Sequence, residues 1–103
     1  MGEKVFLGPM AGVTDRAFRE VCRLFFDGVM TSEMVSINAL HHRNHKTFEI
    51  IETEPDELCQ IFGSDPEVLK AVSDELNQLT CKGIDINCGC PAKKIVANGD
   101  GSA

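Results

Sequence analysis

An alternation between short apolar runs and longer segments of helical periodicity constrains this chain more than any other feature. Val5-Phe6-Leu7, Val29-Met30-Thr31, Leu58-Cys59-Gln60-Ile61-Phe62 and Ile84-Asp85-Ile86 are brief, mostly apolar and bounded by Gly, Pro, Ser or Asn. Such runs have the length and character of strands buried on both faces. Between the first two, residues 14–25 place Phe18, Val21, Cys22 and Phe25 at the i, i+3, i+4, i+7 spacing of one helix face. Thr14 or Asp15 can cap this helix, and Gly28 lies just past its end. Residues 66–79 carry a second stripe of Val68, Leu69, Val72, Leu76 and Leu79, opened by the capping-box sequence Ser64-Asp65-Pro66-Glu67. Both stripes are expected to lie against a sheet. Strands alternating with amphipathic helices define βαβ units, so the expected class is α/β with parallel strands.

Residues 36–56 break the rhythm. They read as a short helix over 37–43, then an extended excursion over 47–51 that turns at Glu54-Pro55-Asp56. No Gly/Ser/Pro-rich linker divides the chain, so residues 1–103 are expected to be one domain or part of one. Its apolar runs are far shorter than the roughly 20 residues a membrane-spanning helix needs. Met1-Gly2-Glu3-Lys4 lacks the layout of a signal peptide, and a cytoplasmic location is expected. The five cysteines, Cys22, Cys59, Cys81, Cys88 and Cys90, are odd in number and irregular in spacing, which argues against a disulfide framework. A net charge of −6 disfavours a general nucleic-acid-binding surface, because phosphate contacts need clustered Lys and Arg.

The unusual residues gather at the strand ends. Pro9-Met10-Ala11-Gly12 follows the first run, Ser32-Glu33-Met34 the second, Gly63-Ser64-Asp65 the third and Asn87-Cys88-Gly89-Cys90-Pro91 the fourth. Parallel α/β folds build their sites at the carboxyl ends of strands. Four such ends on one rim point to one shared site.

These segments resemble the tRNA-dihydrouridine synthase family. Gly8-Pro9-Met10-Ala11-Gly12-Val13-Thr14-Asp15 resembles its opening motif. Ser32-Glu33-Met34, Gln60-Ile61-Phe62-Gly63-Ser64-Asp65-Pro66 and Asp85-Ile86-Asn87-Cys88-Gly89-Cys90-Pro91-Ala92-Lys93-Lys94 resemble the next three blocks, in order. The resemblance implies the first half of an FMN-binding (β/α)₈ TIM barrel that uses NADPH to reduce the C5=C6 bond of specific tRNA uridines. It implies that Pro9, Met10 and Ala11 lie against the flavin and that Gln60 hydrogen-bonds its ring. An amide that both donates and accepts suits the ring's alternating carbonyl and N–H edge. It further implies Cys90 as the catalytic acid, protonating C5 while reduced FMN passes hydride to C6. A thiol with an ordinary pKa near 8.5 is mostly protonated at pH 7 and needs no neighbouring base to serve as a donor. Asn87 and Lys93 correspond to family positions near the substrate base and backbone.

Cys88 departs from the family, which usually has an apolar residue there. Cys88 and Cys90 do not form the paired C-x₂₋₄-C spacing of zinc sites, and His41 and His45 lack the acidic companion of a metalloprotease helix. No metal is expected. A complete barrel takes about 250 residues. The chain is therefore expected to be a truncated N-terminal portion, lacking the second half-barrel, the flavin-phosphate ligands and the helical tRNA-binding domain that the resemblance implies. On its own it is expected to self-associate through its unpaired strand edges. The alternatives are a non-catalytic remnant acting as an interaction module, or another FMN-dependent barrel reductase.

Overall fold

The structure is a computed structural model that describes residues 5–42 and 51–103. Among the described residues, five strands and four helices follow one another as β1 (Phe6–Leu7), α1 (Arg16–Arg23), β2 (Val29–Met30), β3 (Val35–Ser36), α2 (Ile37–His41), β4 (Leu58–Phe62), α3 (Pro66–Asn77), β5 (Gly83–Ile86) and α4 (Lys93–Ala97). Every strand pairing is parallel, with β1 on β2, β3 on β4 and β4 on β5. A parallel bridge from Thr31 to Leu58, with the Ser32 N–H donating to Leu58 O at 2.9 Å, joins the two pieces. The parallel strands are those the alternating pattern predicts, and their arrangement is that of the first half of a (β/α)₈ barrel, as the family resemblance implies.

β3 has no counterpart in the sequence reading, which ends the second strand at Ser32-Glu33-Met34. Beyond those residues the chain returns to the same neighbour. Four steps from Thr31 to Val35 face only three from Leu58 to Ile61, so one residue is extra. β2 and β3 thus act as one strand broken by a bulge, a device that re-aims side chains beside sites.

The core lies between the β3–β4–β5 sheet and helices α2 and α3. Val35, Ile37, Leu40, Ile51, Cys59, Ile61, Val72 and Leu76 are buried, with Val68, Leu69, Leu79 and Cys81 packed against them. The second predicted stripe therefore does face the sheet. Each such side chain, fully buried, stabilises the fold by about 1.5–3 kcal/mol. α3 starts with Pro66 in its first turn, and the Asp65 carboxylate accepts from the Glu67 N–H. Asp65, rather than Ser64, is thus the cap, and Ser64 Oγ instead donates to Asn98 O at 3.4 Å.

α1 is turned differently from its pattern. Its cap is Asp15, which accepts from the Phe18 N–H. Its predicted apolar stripe is not covered: Val21 is 56% and Phe25 84% exposed, whereas Arg19 is 1% exposed. Arg16, Arg19 and Arg23 line the opposite face and meet the segment before β4. Arg19 Nη1 donates to Thr14 O at 2.6 Å and Nη2 to Glu52 O at 2.7 Å, and Nε lies 3.3 Å from Glu57 Oε2. Nothing among the described residues offers the apolar face a partner, while the guanidinium finds two carbonyl acceptors and the Glu57 carboxylate as an ion-pair partner. Gly28 does not end the helix; Leu24 does. A Cβ at Gly28 would fall 2.1 Å from Val5 O, so the residue serves the close approach of β1 to β2.

The predicted short helix over 37–43 is α2 (Ile37–His41). Arg43, His45, most of the predicted 47–51 excursion and residues 1–4 lie outside the described residues. Among the described residues, no helix is long and apolar enough to cross a membrane.

Candidate active site

The carboxyl ends of the strands converge as the alternation demands. A cavity of about 200 Å³ is lined by Pro9 and Ala11 after β1, Met34 in the bulge, Gln60 on β4, and Asn87 and Cys90 after β5. The pleat explains the sorting. Cys59 and Ile61 belong to the core against the helices, so Gln60 between them faces the other way. Asp85 is the register partner of Gln60 and shares that face, and Asn87 follows two residues on.

These side chains bond to one another. Gln60 Nε2 donates to Asp85 Oδ2 at 2.7 Å, and Asn87 Nδ2 donates to Gln60 Oε1 at 3.2 Å. Asn87 Oδ1 accepts from the backbone N–H groups of Gly89 at 3.2 Å and Cys90 at 3.1 Å. A short polar side chain bonding its own backbone two and three residues on shapes a turn, and here that turn carries the cysteine. Ser32, fully buried, accepts from the Gln60 N–H at 3.1 Å and donates to Glu33 O at 2.9 Å. The Glu33 carboxylate accepts from the Gly12 N–H. The bulge thereby stitches the loop after β1 to β4.

The end of the chain supports Cys90 from behind. The Ser102 N–H donates to Cys90 O at 3.0 Å. Gly101 has φ +60, and a Cβ there would lie 2.5 Å from Cys90 O and 3.1 Å from Cys90 Cβ. Only glycine fits both the conformation and the space.

The cysteines differ in setting. Cys59 is fully buried, and burial pushes its thiol up to about 11 against a lowering hydrogen bond with Ser32. Cys88 is exposed, whereas Cys90 is half-buried on the cavity wall. Among the described residues no group of three or more His, Cys, Asp or Glu gathers as a metal site.

Of the residues singled out in the sequence, the structure brings together Pro9, Ala11, Gln60, Asn87 and Cys90. Met10 is 44% exposed and outside the cavity lining; its N–H donates to Thr14 Oγ1 at 3.0 Å. Lys93 begins α4, exposed and likewise outside the lining. Met34, Ser32, Asp85 and Gly101 carry roles the sequence reading did not assign. Asp85 had a signal: in a strand it shares a face with Asn87, two residues on. A larger cavity of about 370 Å³ lies at the amino ends of β4 and β5, lined by residues that include Arg16, Glu52, Glu54 and Thr80. Arg16 is already ion-paired there with Glu52 at 2.7 Å, and none of the residues gathered around Gln60 and Cys90 contributes.

A parallel half-barrel with glycine-rich turns and a half-buried cysteine at its carboxyl rim defines an α/β barrel protein with its site in the usual place. Residues 6–103 match the dihydrouridine synthase family, and the chain belongs to it. It is 44% identical over 102 residues to a protein of Helicobacter pylori (strain ATCC 700392 / 26695) named probable tRNA-dihydrouridine synthase, covering 95% of this chain and 31% of the relative. It is 41% identical over 103 residues to tRNA-dihydrouridine synthase B of Pseudomonas aeruginosa, covering 97% of this chain and 31% of the relative. A Rickettsia prowazekii relative, also named probable tRNA-dihydrouridine synthase, is 34% identical across all of this chain. The chain thus spans about a third of the length of these relatives.

Proposed function

We propose that this chain supplies the flavin-facing and proton-donating wall of a tRNA-dihydrouridine synthase site, in which Cys90 protonates C5 of a tRNA uridine. The supporting observation is the convergence of Pro9, Ala11, Gln60, Asn87 and Cys90 on one cavity. The donor set fits a flavin ring. Pro9 and Ala11 give a low, apolar wall, and Gln60 keeps one N–H and one lone pair beyond its bonds to Asp85 and Asn87. Met10 contributes to the same turn through its backbone. FMN, re-reduced by NADPH, would supply hydride to C6 of the uracil.

The chain's own residues do the rest. Asn87, with both carbonyl lone pairs committed to Gly89 and Cys90, offers the base an N–H. Cys90 holds the proton and delivers it from the thiol. Lys93, one turn beyond, is assigned to the RNA backbone. Among the described residues the cavity lining includes no Lys, Arg or His, so a flavin phosphate needs cations from outside that lining. Those ligands, the second half of the barrel and the main tRNA-gripping surface are assigned to the two-thirds of the relatives' length outside this match. In isolation the chain therefore binds FMN poorly and associates with itself through β1 and β5, and the intact enzyme works in the cytoplasm.

The test replaces the matching third of the Helicobacter pylori relative by this chain, in cells lacking their own synthases. Dihydrouridine in total tRNA is then read by mass spectrometry. Cys90→Ala is expected to lower the rate by about 10²–10⁴, the usual weight of a general acid. Cys88→Ala is expected to match the parent. Unchanged dihydrouridine in Cys90→Ala would remove Cys90 from the chemistry.

A further inference from the structure

The polar side chains of the site form a single run of hydrogen bonds whose two ends are anchored by opposite kinds of group. At one end stands the Asp85 carboxylate, whose Oδ2 accepts from Gln60. Gln60 must turn Nε2 toward it, at 2.7 Å, which leaves Oε1 facing Asn87. Asn87 must then offer Nδ2, at 3.2 Å, which leaves Oδ1 for the backbone. At the far end the N–H groups of Gly89 and Cys90, 3.2 and 3.1 Å from that oxygen, can only donate. Two amides that could each be reversed in isolation have one consistent setting between these anchors.

We propose that Asp85 is a positioning residue of this site, fixing the sense of Gln60 and Asn87 and, through them, the turn that presents the Cys90 thiol. Asp85 does not line the cavity, so it acts through its neighbours. Its place is dictated by the sheet: in register with Gln60 on the adjacent strand, and two residues before Asn87 on its own. A carboxylate-to-amide bond is about twice as strong as a neutral one, which makes Asp85 the firmer anchor. The geometry stands on this chain alone; its bearing on uridine reduction rests on the role given to Cys90 above.

Three cysteines in distinct settings make the test internal to the chain. In a Cys88→Ser background, iodoacetamide labelling is followed by peptide-resolved mass spectrometry. Cys90 reports on the turn, and fully buried Cys59 reports on global opening. Asp85→Ala is expected to speed Cys90 labelling about three-fold or more, with Cys59 unchanged, because loss of a charge-assisted bond loosens only the run it anchors. Gln60→Leu, which removes the middle link, is expected to do at least as much. Asp85→Asn, whose carbonyl can still accept from Gln60 but without the charge, is expected to fall between the background and the alanine variant. Cys90 labelling that does not respond to Asp85→Ala would overturn the proposal. So would Cys59 rising in step with it, or Asp85→Asn behaving like the alanine variant. The assay uses neither flavin nor RNA, so its failure is separate from failure of the dihydrouridine reading.

Discussion

The two ends of this chain are held together by different forces. From β3 onward, apolar side chains of α2, α3 and the sheet bury one another, with Val72 and Cys59 at 0% exposure. Before β3, Met30 is fully buried but Phe6, Val21, Leu24 and Phe25 are exposed, and α1 is tied to the segment before β4 by the buried ion pair of Arg19 with Glu57. A hydrophobic core tolerates modest change because its energy is spread over many contacts. A buried ion pair does not, since deleting either partner strands the other charge away from water. The amino-terminal region is therefore expected to be the brittle one.

The largest effect is expected there. Arg19→Ala leaves the Glu57 carboxylate, about 96% shielded, without its main partner and withdraws donors from Thr14 O and Glu52 O. A loss of about 3–5 kcal/mol follows, measurable by urea unfolding. Val72→Ala, in the apolar region, should cost about 1–3 kcal/mol for the methyl groups and the cavity left behind. If Arg19→Ala proved the milder of the two, the contrast between the regions would be wrong.

A second expectation concerns alkaline pH and the apolar region alone. Cys59 has its thiol pushed up to about 11 by burial, from an ordinary value near 9. Its raised folded-state value means that the stability it contributes is complete below about pH 9, the unfolded value, and is lost as pH rises toward 11. Unfolding midpoints should fall over that window by on the order of 2 kcal/mol, and Cys59→Ala should flatten the fall. An equal fall in Cys59→Ala would assign it to other groups.

The smallest effect on stability is expected on the exposed stripe. Leu24 and Phe25 are 78% and 84% exposed, so Leu24→Gln and Phe25→Ser should shift the unfolding midpoint by less than about 0.5 kcal/mol. Sedimentation should nonetheless change. The parent is expected to run above 11.3 kDa at low micromolar concentration through its β1 and β5 edges, and the double variant closer to it if these apolar residues add to that pairing. A parent that already sediments as a monomer would show that neither those edges nor the apolar residues just past α1 drive association.

The same contrast explains what was legible in the sequence. β4, α3 and β5 were readable because local pattern and tertiary burial agree: Val72 and Leu76 lie on the predicted face and find the sheet. The α1 stripe was misread because periodicity reveals which residues share a face, not which face has a partner. Arg19 won its place through two carbonyl acceptors, Thr14 O and Glu52 O, and an ion pair with Glu57. β3 escaped notice because two residues after a bulge carry no period. At the site, Gln60, Asn87 and Cys90 stood out through their strand-end motifs. Asp85 did not, because its one local signal, a face shared with Asn87, gains its meaning only from the cross-strand register with Gln60.

The central claim is that Cys90 gives a proton to the uracil while the rest of the wall serves flavin and base. Purified chimera of this chain with the remainder of the Helicobacter pylori relative separates the two half-reactions. NADPH oxidation is followed by absorbance and uridine reduction by nucleoside analysis of the tRNA. Cys90→Ala should leave bound flavin and NADPH oxidation within about two-fold of the parent while uridine reduction falls by about 10²–10⁴. Equal losses in both half-reactions, or in neither, would contradict the assignment of Cys90 as the proton donor.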